Sequence, residues 1–162
     1  MRLVKFPAPP HMKFSSKGLY GIQAIFDLAF HTDAGAAQIK DICERQAIPP
    51  RFLEQVFQDL RKAGIVTSKR GPRGGYQLAS PPERIRLGDI LRALEGPVQL
   101  LPVARSPELV ASSSYEVTDQ VFKGLSSNVE ACLDAVTIAD MCKHAEAMGI
   151  TRRPPPAYVY AI

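Results

Sequence analysis

RFLEQVFQDLRKAGIVTSKRGPRGGY, Arg51 to Tyr76, reads as one amphipathic helix running directly into a glycine-tipped hairpin, and the rest of the chain is legible as support for it. Phe52, Val56, Leu60 and Ala63 recur every three or four residues, with Leu53 and Phe57 beside them, which is the spacing of one apolar helix face. Pro49 and Pro50 stand where a first helical turn tolerates proline, and Gly64 marks the stop. The pattern then changes to a β-branched run, Ile65, Val66 and Thr67, a turn at Gly71-Pro72-Arg73-Gly74-Gly75, and a return strand, Tyr76-Gln77-Leu78. A helix followed by such a ribbon is a winged-helix signature. From Arg61 to Arg73 the residues Arg61, Lys62, Lys69, Arg70 and Arg73 are basic and none is acidic, so this surface suits an anionic partner.

Immediately upstream, Ile39, Ile42 and Cys43 mark a short helix ending near Gln46, and the next begins after Ala47-Ile48-Pro49. Two helices joined so tightly form a helix-turn-helix, in which the second enters the major groove with its N-terminal residues foremost. Those residues are Arg51, Glu54 and Gln55. Without the basic ribbon the same pattern would equally describe an ordinary helical hairpin. Ser15 or Ser16 caps a preceding helix from about Lys17 to Phe30, whose expected apolar face is Ile22, Ile25, Phe26 and Ala29. Lys17 stands where it can reach a phosphate, although a single exposed lysine is as readily just solvated. Residues 1–11, broken by three prolines, read as a flexible extension or an upstream start.

Downstream, Ser80-Pro81-Pro82 closes the ribbon, and Leu87, Ile90, Leu91 and Leu94 form a short helix stopped by Gly96-Pro97. Residues 97–112 read as a loop. Ser113-Ser114-Tyr115-Glu116 is a capping box opening a long helix, on which Val117, Val121, Leu125, Val129, Cys132, Leu133 and Val136 keep one apolar stripe. More than 20 residues at 1.5 Å each is roughly 30 Å, longer than a winged-helix body needs for its own core, so the stripe calls for a partner. Thr137-Ile138-Ala139-Asp140 is a second capping box, opening a last helix to about Ala147. The expected division is an extension at 1–11, a winged-helix DNA-binding domain at 12–96, a loop at 97–112, dimerisation helices at 113–148 and a proline-rich tail at 149–162.

The 162 residues, 46% of them hydrophobic, can bury one core but hardly two. The formal charge of +4 is unevenly spread: residues 12–95 hold thirteen Lys and Arg against nine Asp and Glu, residues 96–162 five against seven. No apolar run approaches the roughly 18 residues of a membrane span, and the first residues are too short and proline-broken for a signal peptide, so a cytoplasmic protein with no membrane partner is expected. Cys43, Cys132 and Cys142 are an odd number without CxxC spacing, which argues against a disulfide framework or a zinc knuckle.

Met12-Lys13-Phe14-Ser15-Ser16-Lys17-Gly18-Leu19-Tyr20, Phe52-Leu53-Glu54-Gln55, Leu60-Arg61-Lys62-Ala63-Gly64, Arg70-Gly71-Pro72-Arg73-Gly74-Gly75-Tyr76 and Leu87-Gly88-Asp89-Ile90, in that order, resemble the Rrf2 family of bacterial regulators, which includes the iron–sulfur regulator IscR, the nitric-oxide sensor NsrR and the cysteine-metabolism repressor CymR. The resemblance spans residues 12 to about 147. It implies a mainly α fold with a small β wing: a winged helix-turn-helix plus a long C-terminal helix that crosses to the other subunit of a homodimer, Val117, Val121, Leu125, Val129 and Leu133 lying in the interface. It further implies a transcription factor, a repressor on this reading, that binds a pseudo-palindromic operator in double-stranded DNA. By the same resemblance Glu54 and Gln55 fall where the family reads bases, with Arg51 beside them, and Arg70 on the wing residue that enters the minor groove. The chemistry concurs: Gln pairs bidentately with adenine, Glu accepts from cytosine N4, and Arg suits guanine or a narrow minor groove. Lys17, Lys69 and Arg73 complete the expected DNA contacts, and Gly71, Gly74 and Gly75 the wing turn.

Three departures stand out. Leu19 replaces the arginine common in the family's opening motif, and Arg73 replaces a wing glycine. Cluster-binding members place three cysteines after the position of Gly96, whereas residues 97–115 contain none, so no metal ligand set carries over, no cofactor is expected, and an iron–sulfur cluster least of all. A small-molecule or protein effector, thiol oxidation at Cys132 or Cys142, or no effector at all remains open as to the signal. Two other classes stay open: a winged-helix module that binds protein, against which the acid-free basic block argues, and a DNA-processing or thiol-redox enzyme, for which no acidic pair or nucleophile–base motif is visible.

Overall fold

The computed structural model describes residues 14–32, 35–72, 74–100 and 113–152. The proposed extension at 1–11, Arg73, most of the 97–112 loop and most of the 149–162 tail lie outside them.

The first helix, α1 (Ser16–His31), is the centre of the fold. Ser15 caps it by accepting from the Lys17 and Gly18 amides at 3.2 and 3.3 Å. Its buried face is Gly18, Gly21, Ala24, Ile25 and Leu28, rotated from the expected one: Ile25 is buried, but Ile22, Phe26 and Ala29 are only partly covered. Glycine has no hydropathy to announce the contact it makes. A methyl group at Gly18 would overlap Glu95 and Leu91, and one at Gly21 would overlap Leu94, so these two positions let α1 lie against α4 (Leu87–Glu95) almost backbone to side chain. Glu95 completes the crossing by accepting from Ser15 Oγ at 2.7 Å.

α2 (Ile39–Gln46) and α3 (Pro50–Lys62) form the anticipated helix-turn-helix. Ala47 turns the chain in the left-handed region, φ 53°, Ile48 plugs the core, and Pro49 and Pro50 launch α3. Leu53, Val56, Phe57 and Leu60 of α3 are fully buried, whereas Phe52, read on the same face, is partly covered and Ala63, just beyond the helix, is exposed. The wing is the antiparallel pair β1 (Val66–Lys69) and β2 (Gly75–Leu78), with Val66 opposite Leu78 and Lys69 opposite Gly75. Ala37 adds a third element by exchanging both backbone hydrogen bonds with Tyr76, at 2.9 and 2.8 Å. Gly75 is required there, because its φ lies at 151° and any Cβ at this position would overlap the Ala37 carbonyl.

After a single 3-10 turn at Pro82–Arg84 come α4, the long α5 (Ser113–Asp134) and α6 (Ile138–Ala147). The capping box of α6 is present as read: Thr137 Oγ1 accepts from the Asp140 amide at 3.1 Å, and Asp140 accepts from the Thr137 amide at 3.0 Å. α6 tucks Ile138 into the core against α1. α5 behaves differently, since none of its 22 residues is buried. One side of it is held to α4 and to residues 97–100, through Asp134 with Arg92, Glu130 accepting from the Val98 amide, and Ser126 accepting from the Leu100 amide. The architecture is mainly helical with a two-stranded wing and a long C-terminal helix. No helix among the described residues is long and apolar enough to cross a membrane.

Candidate nucleic-acid interface

Burial of Leu53, Val56, Phe57 and Leu60 turns the opposite face of α3 outward, and with it Arg51, Glu54, Gln55, Gln58, Arg61 and Lys62, all exposed. Three of the six were anticipated as DNA contacts. Gln58 was not among the expected contacts, although it lies three and four residues beyond Gln55 and Glu54 and so shares their exposed face. The helix is tied to the wing beneath this surface by Phe57 against Tyr76, ring centroids 4.6 Å apart, and to α1 by Tyr20 edge-on to Phe52 at 5.4 Å. Lys69, Arg70, Gly71 and Pro72 form an exposed, basic wing beside α3, and Gly74 is buried beneath it; Arg73 is outside the described residues.

Lys17 is drawn into the same surface, but its ammonium is 2.8 Å from Asp59 of α3. The Lys17 bond, and then that of Lys62 at 3.2 Å, hold the Asp59 carboxyl below the usual carboxylate range. Lys17 therefore fastens α1 to α3, and its charge already has a partner. Its partner was missed because Asp59 lies just outside the acid-free block.

A second ionic cluster lies behind the helix-turn-helix. Asp27 of α1 is completely buried and accepts from Arg45 and Gln46 of α2; it is the only charged side chain so buried among the described residues. A carboxylate reads from sequence as a solvated position, so only its place between the buried Ala24 and Leu28 could have flagged it.

On α5, Val117, Val121 and Leu125 are 64, 55 and 45% exposed, Cys132 is exposed in the same stripe, and Val129 and Leu133 are partly covered. Cys43 is buried in the core and Cys142 half-buried; burial pushes both thiols up. No group of three or more His, Cys, Asp or Glu among the described residues is arranged to hold a metal ion.

A family profile described as "Rrf2: Iron-dependent Transcriptional regulator" matches residues 14–144. The HTH-type transcriptional regulator IscR of Aliivibrio salmonicida is 34% identical over 142 residues, 88% of this chain and 84% of that protein. Among solved structures, T. potens IscR is similar with a TM-score of 0.70 at 42% identity, over 88% of this chain and 95% of that one. CymR, the global cysteine regulator of B. subtilis, gives 0.66 at 34% identity, over 82% and 98%.

Proposed function

The chain belongs to the Rrf2 family of winged helix-turn-helix, DNA-binding transcriptional regulators, not to a class of enzymes, and on that premise we propose that it acts as a homodimeric repressor without an iron–sulfur cluster. Residues 12–96 form the DNA-binding unit and 113–148 the pairing unit. The observation that carries this is the row Arg51, Glu54, Gln55 and Gln58, turned outward from a fully buried opposite face and flanked by Lys69 and Arg70 on the wing. Gln55, Gln58 and Glu54 present donors and acceptors to base edges, while Arg51 and the wing cations, with Arg73, neutralise phosphates or enter the minor groove.

Two such units in one dimer read a pseudo-palindrome of about 25 base pairs, two half-sites separated by one or two helical turns. The exposed stripe Val117, Val121 and Leu125 supports dimer formation, since no neighbour within the described chain covers it. Occupying that much duplex blocks access to a promoter, which makes repression the direct consequence. An iron–sulfur cluster does not fit the donor set: residues 97–115 contain neither Cys nor His, and hydroxyls with Glu108 are hard ligands that such iron does not select. The signal is then a small ligand, a protein partner or thiol oxidation.

The test is selection from a randomised duplex library combined with sedimentation at micromolar concentration. Enrichment of a two-fold site by a dimer supports the proposal. A monomer, or a library that stays random, refutes it and favours the protein-binding alternative.

A further inference from the structure

Asp27 is a carboxylate at zero exposure between Ala24 and Leu28 in the middle of α1. Placing an unpaired carboxylate there would cost several kcal/mol, so its partners decide what it can do. Arg45 Nε donates to both of its oxygens at 3.0 Å, Arg45 Nη2 donates to Oδ2 at 2.6 Å, and Gln46 Nε2 donates to Oδ1 at 2.8 Å. His31 Nε2 lies 4.0 Å from Oδ1 on the α1 side. Arg45 is itself only 12% exposed, and the bond to Asp27 holds its guanidinium still further above its ordinary range.

The location of these donors matters more than their strength. Arg45 and Gln46 are the last two residues of α2, Ala47 is the left-handed turn residue, and Arg51 is the second residue of α3. Apolar contacts through Ile42, Cys43 and Ile48 hold α2 down but are non-directional. A planar fork on a carboxylate is directional, with the geometry of each bond fixed.

We propose that Asp27, Arg45 and Gln46 are positioning residues for sequence discrimination: the cluster sets the direction in which α3 leaves the turn, so that Arg51, Glu54 and Gln55 meet base edges in register. Asp27 and Arg45 do this from inside the protein, without touching DNA. The inference rests on the DNA-reading role of α3 given above.

The full-length double variant Asp27→Leu/Arg45→Met replaces the pair by apolar side chains, an exchange that is often neutral or stabilising for buried ion pairs. The probes are the duplex recovered by selection with the wild-type protein and a scrambled duplex of equal length, at one salt concentration. The expected result is a melting temperature at or above wild type, unchanged affinity for the scrambled duplex, and a fall of about tenfold in the ratio of the two affinities, the discrimination one bidentate base contact supplies. A purely structural role would move both affinities together, and an unchanged ratio in the folded double variant overturns the inference. Should the double variant not fold, Gln46→Ala decides: its side chain is half-exposed and Arg45 still pairs Asp27, so the protein should fold and melt only a few degrees below wild type, and the ratio should fall about threefold. An unchanged ratio there overturns the inference as well. Failure of the underlying reading is distinct, because the wild-type protein would then show no ratio to lose.

Discussion

Arg92 of α4 donates to Asp134, the last residue of α5, at 2.7 Å, and to Asp89 at 2.8 Å, so one guanidinium anchors the C-terminal end of the long helix. Asp134, then Asp89, hold that guanidinium far above its ordinary range, and Gly88 is bare where a methyl group would overlap Asp134. Both partners are about one-third exposed, so solvent screens much of the attraction. Arg92→Ala should cost about 1–2 kcal/mol, a fall of roughly 2–8 °C in melting temperature for a chain this size. Amide hydrogen exchange should quicken along α5 while that of α1 stays slow. Equal acceleration in both helices would show that the anchor is not local to α5.

Val121 and Leu125 are already exposed in the single chain, so Val121→Asp and Leu125→Asp should leave its fold intact. Covering such a side chain contributes about 1.5–3 kcal/mol, and a carboxylate in its place adds a desolvation cost. The dimer dissociation constant should rise at least about tenfold for each, by sedimentation equilibrium. Variants that remain dimers at wild-type concentration would place the interface elsewhere.

The parts of the fold that were legible in advance are those whose signal is chemical and periodic. The face of α3, the two wing strands, the Thr137 and Asp140 box and the exposed stripe of α5 all follow from apolar spacing or from a cap. The parts that were not legible depend on what a residue lacks or on a distant partner. Gly18 and Gly21 orient α1 by the absence of a side chain, Asp27 is buried only because Arg45 arrives from another helix, and Lys17 is occupied by Asp59, which is 42 positions away in the chain. At the candidate interface, helix phase anticipated which face of α3 is exposed. Which cation is left to meet a phosphate depends on pairing that no local pattern records.

Lys69 and Arg70 should weaken binding to every sequence when changed to alanine, and each should shallow the slope of log affinity against log salt by about one. Gln55→Ala and Gln58→Ala should instead relax preference at single base positions, by about 1–3 kcal/mol. Binding-site selection with the four variants separates the two groups; uniform behaviour would refute the division into base readers and phosphate contacts.

On the proposed reading of α3, Asp59 would oppose DNA twice, as an anion on that helix and as the partner of Lys17. Asp59→Asn should therefore tighten binding to unselected duplex and steepen the salt slope by up to about one as Lys17 becomes available. The same carboxyl makes a pH statement. Its folded value is depressed, so its pairing contributes stability above the unfolded carboxylate value of about 4 and loses it as pH falls through the lower folded value. Thermal melts from pH 7 downward should thus show a shallower acid decline in Asp59→Asn than in the wild type. A variant that binds duplex more weakly would mean that Asp59 supports the interface it is argued to restrain.

The remaining prediction concerns the signal. Burial pushes the Cys43 and Cys142 thiols up, so at neutral pH both are protonated and slow to react, while Cys132 lies exposed on the stripe of α5. Protein purified without oxygen should show no visible sulfur-to-iron absorption, no stoichiometric iron and no acid-labile sulfide, since the ligand-bearing loop of the cluster-binding members has no counterpart of their cysteines in residues 97–115. Iodoacetamide should label Cys132 first and Cys43 last, by mass spectrometry of the digested protein. Labelling of Cys132 should slow as protein concentration rises through the dimer dissociation constant, because the partner helix then covers it. If thiol oxidation is the signal, peroxide should lower affinity for the selected duplex through a dissociated dimer, and Cys132→Ser should abolish the response. A stoichiometric chromophore with labile sulfide would overturn the cluster-free assignment, whereas a clean spectrum with affinity unchanged by peroxide would eliminate the thiol and leave a ligand or protein partner as the effector.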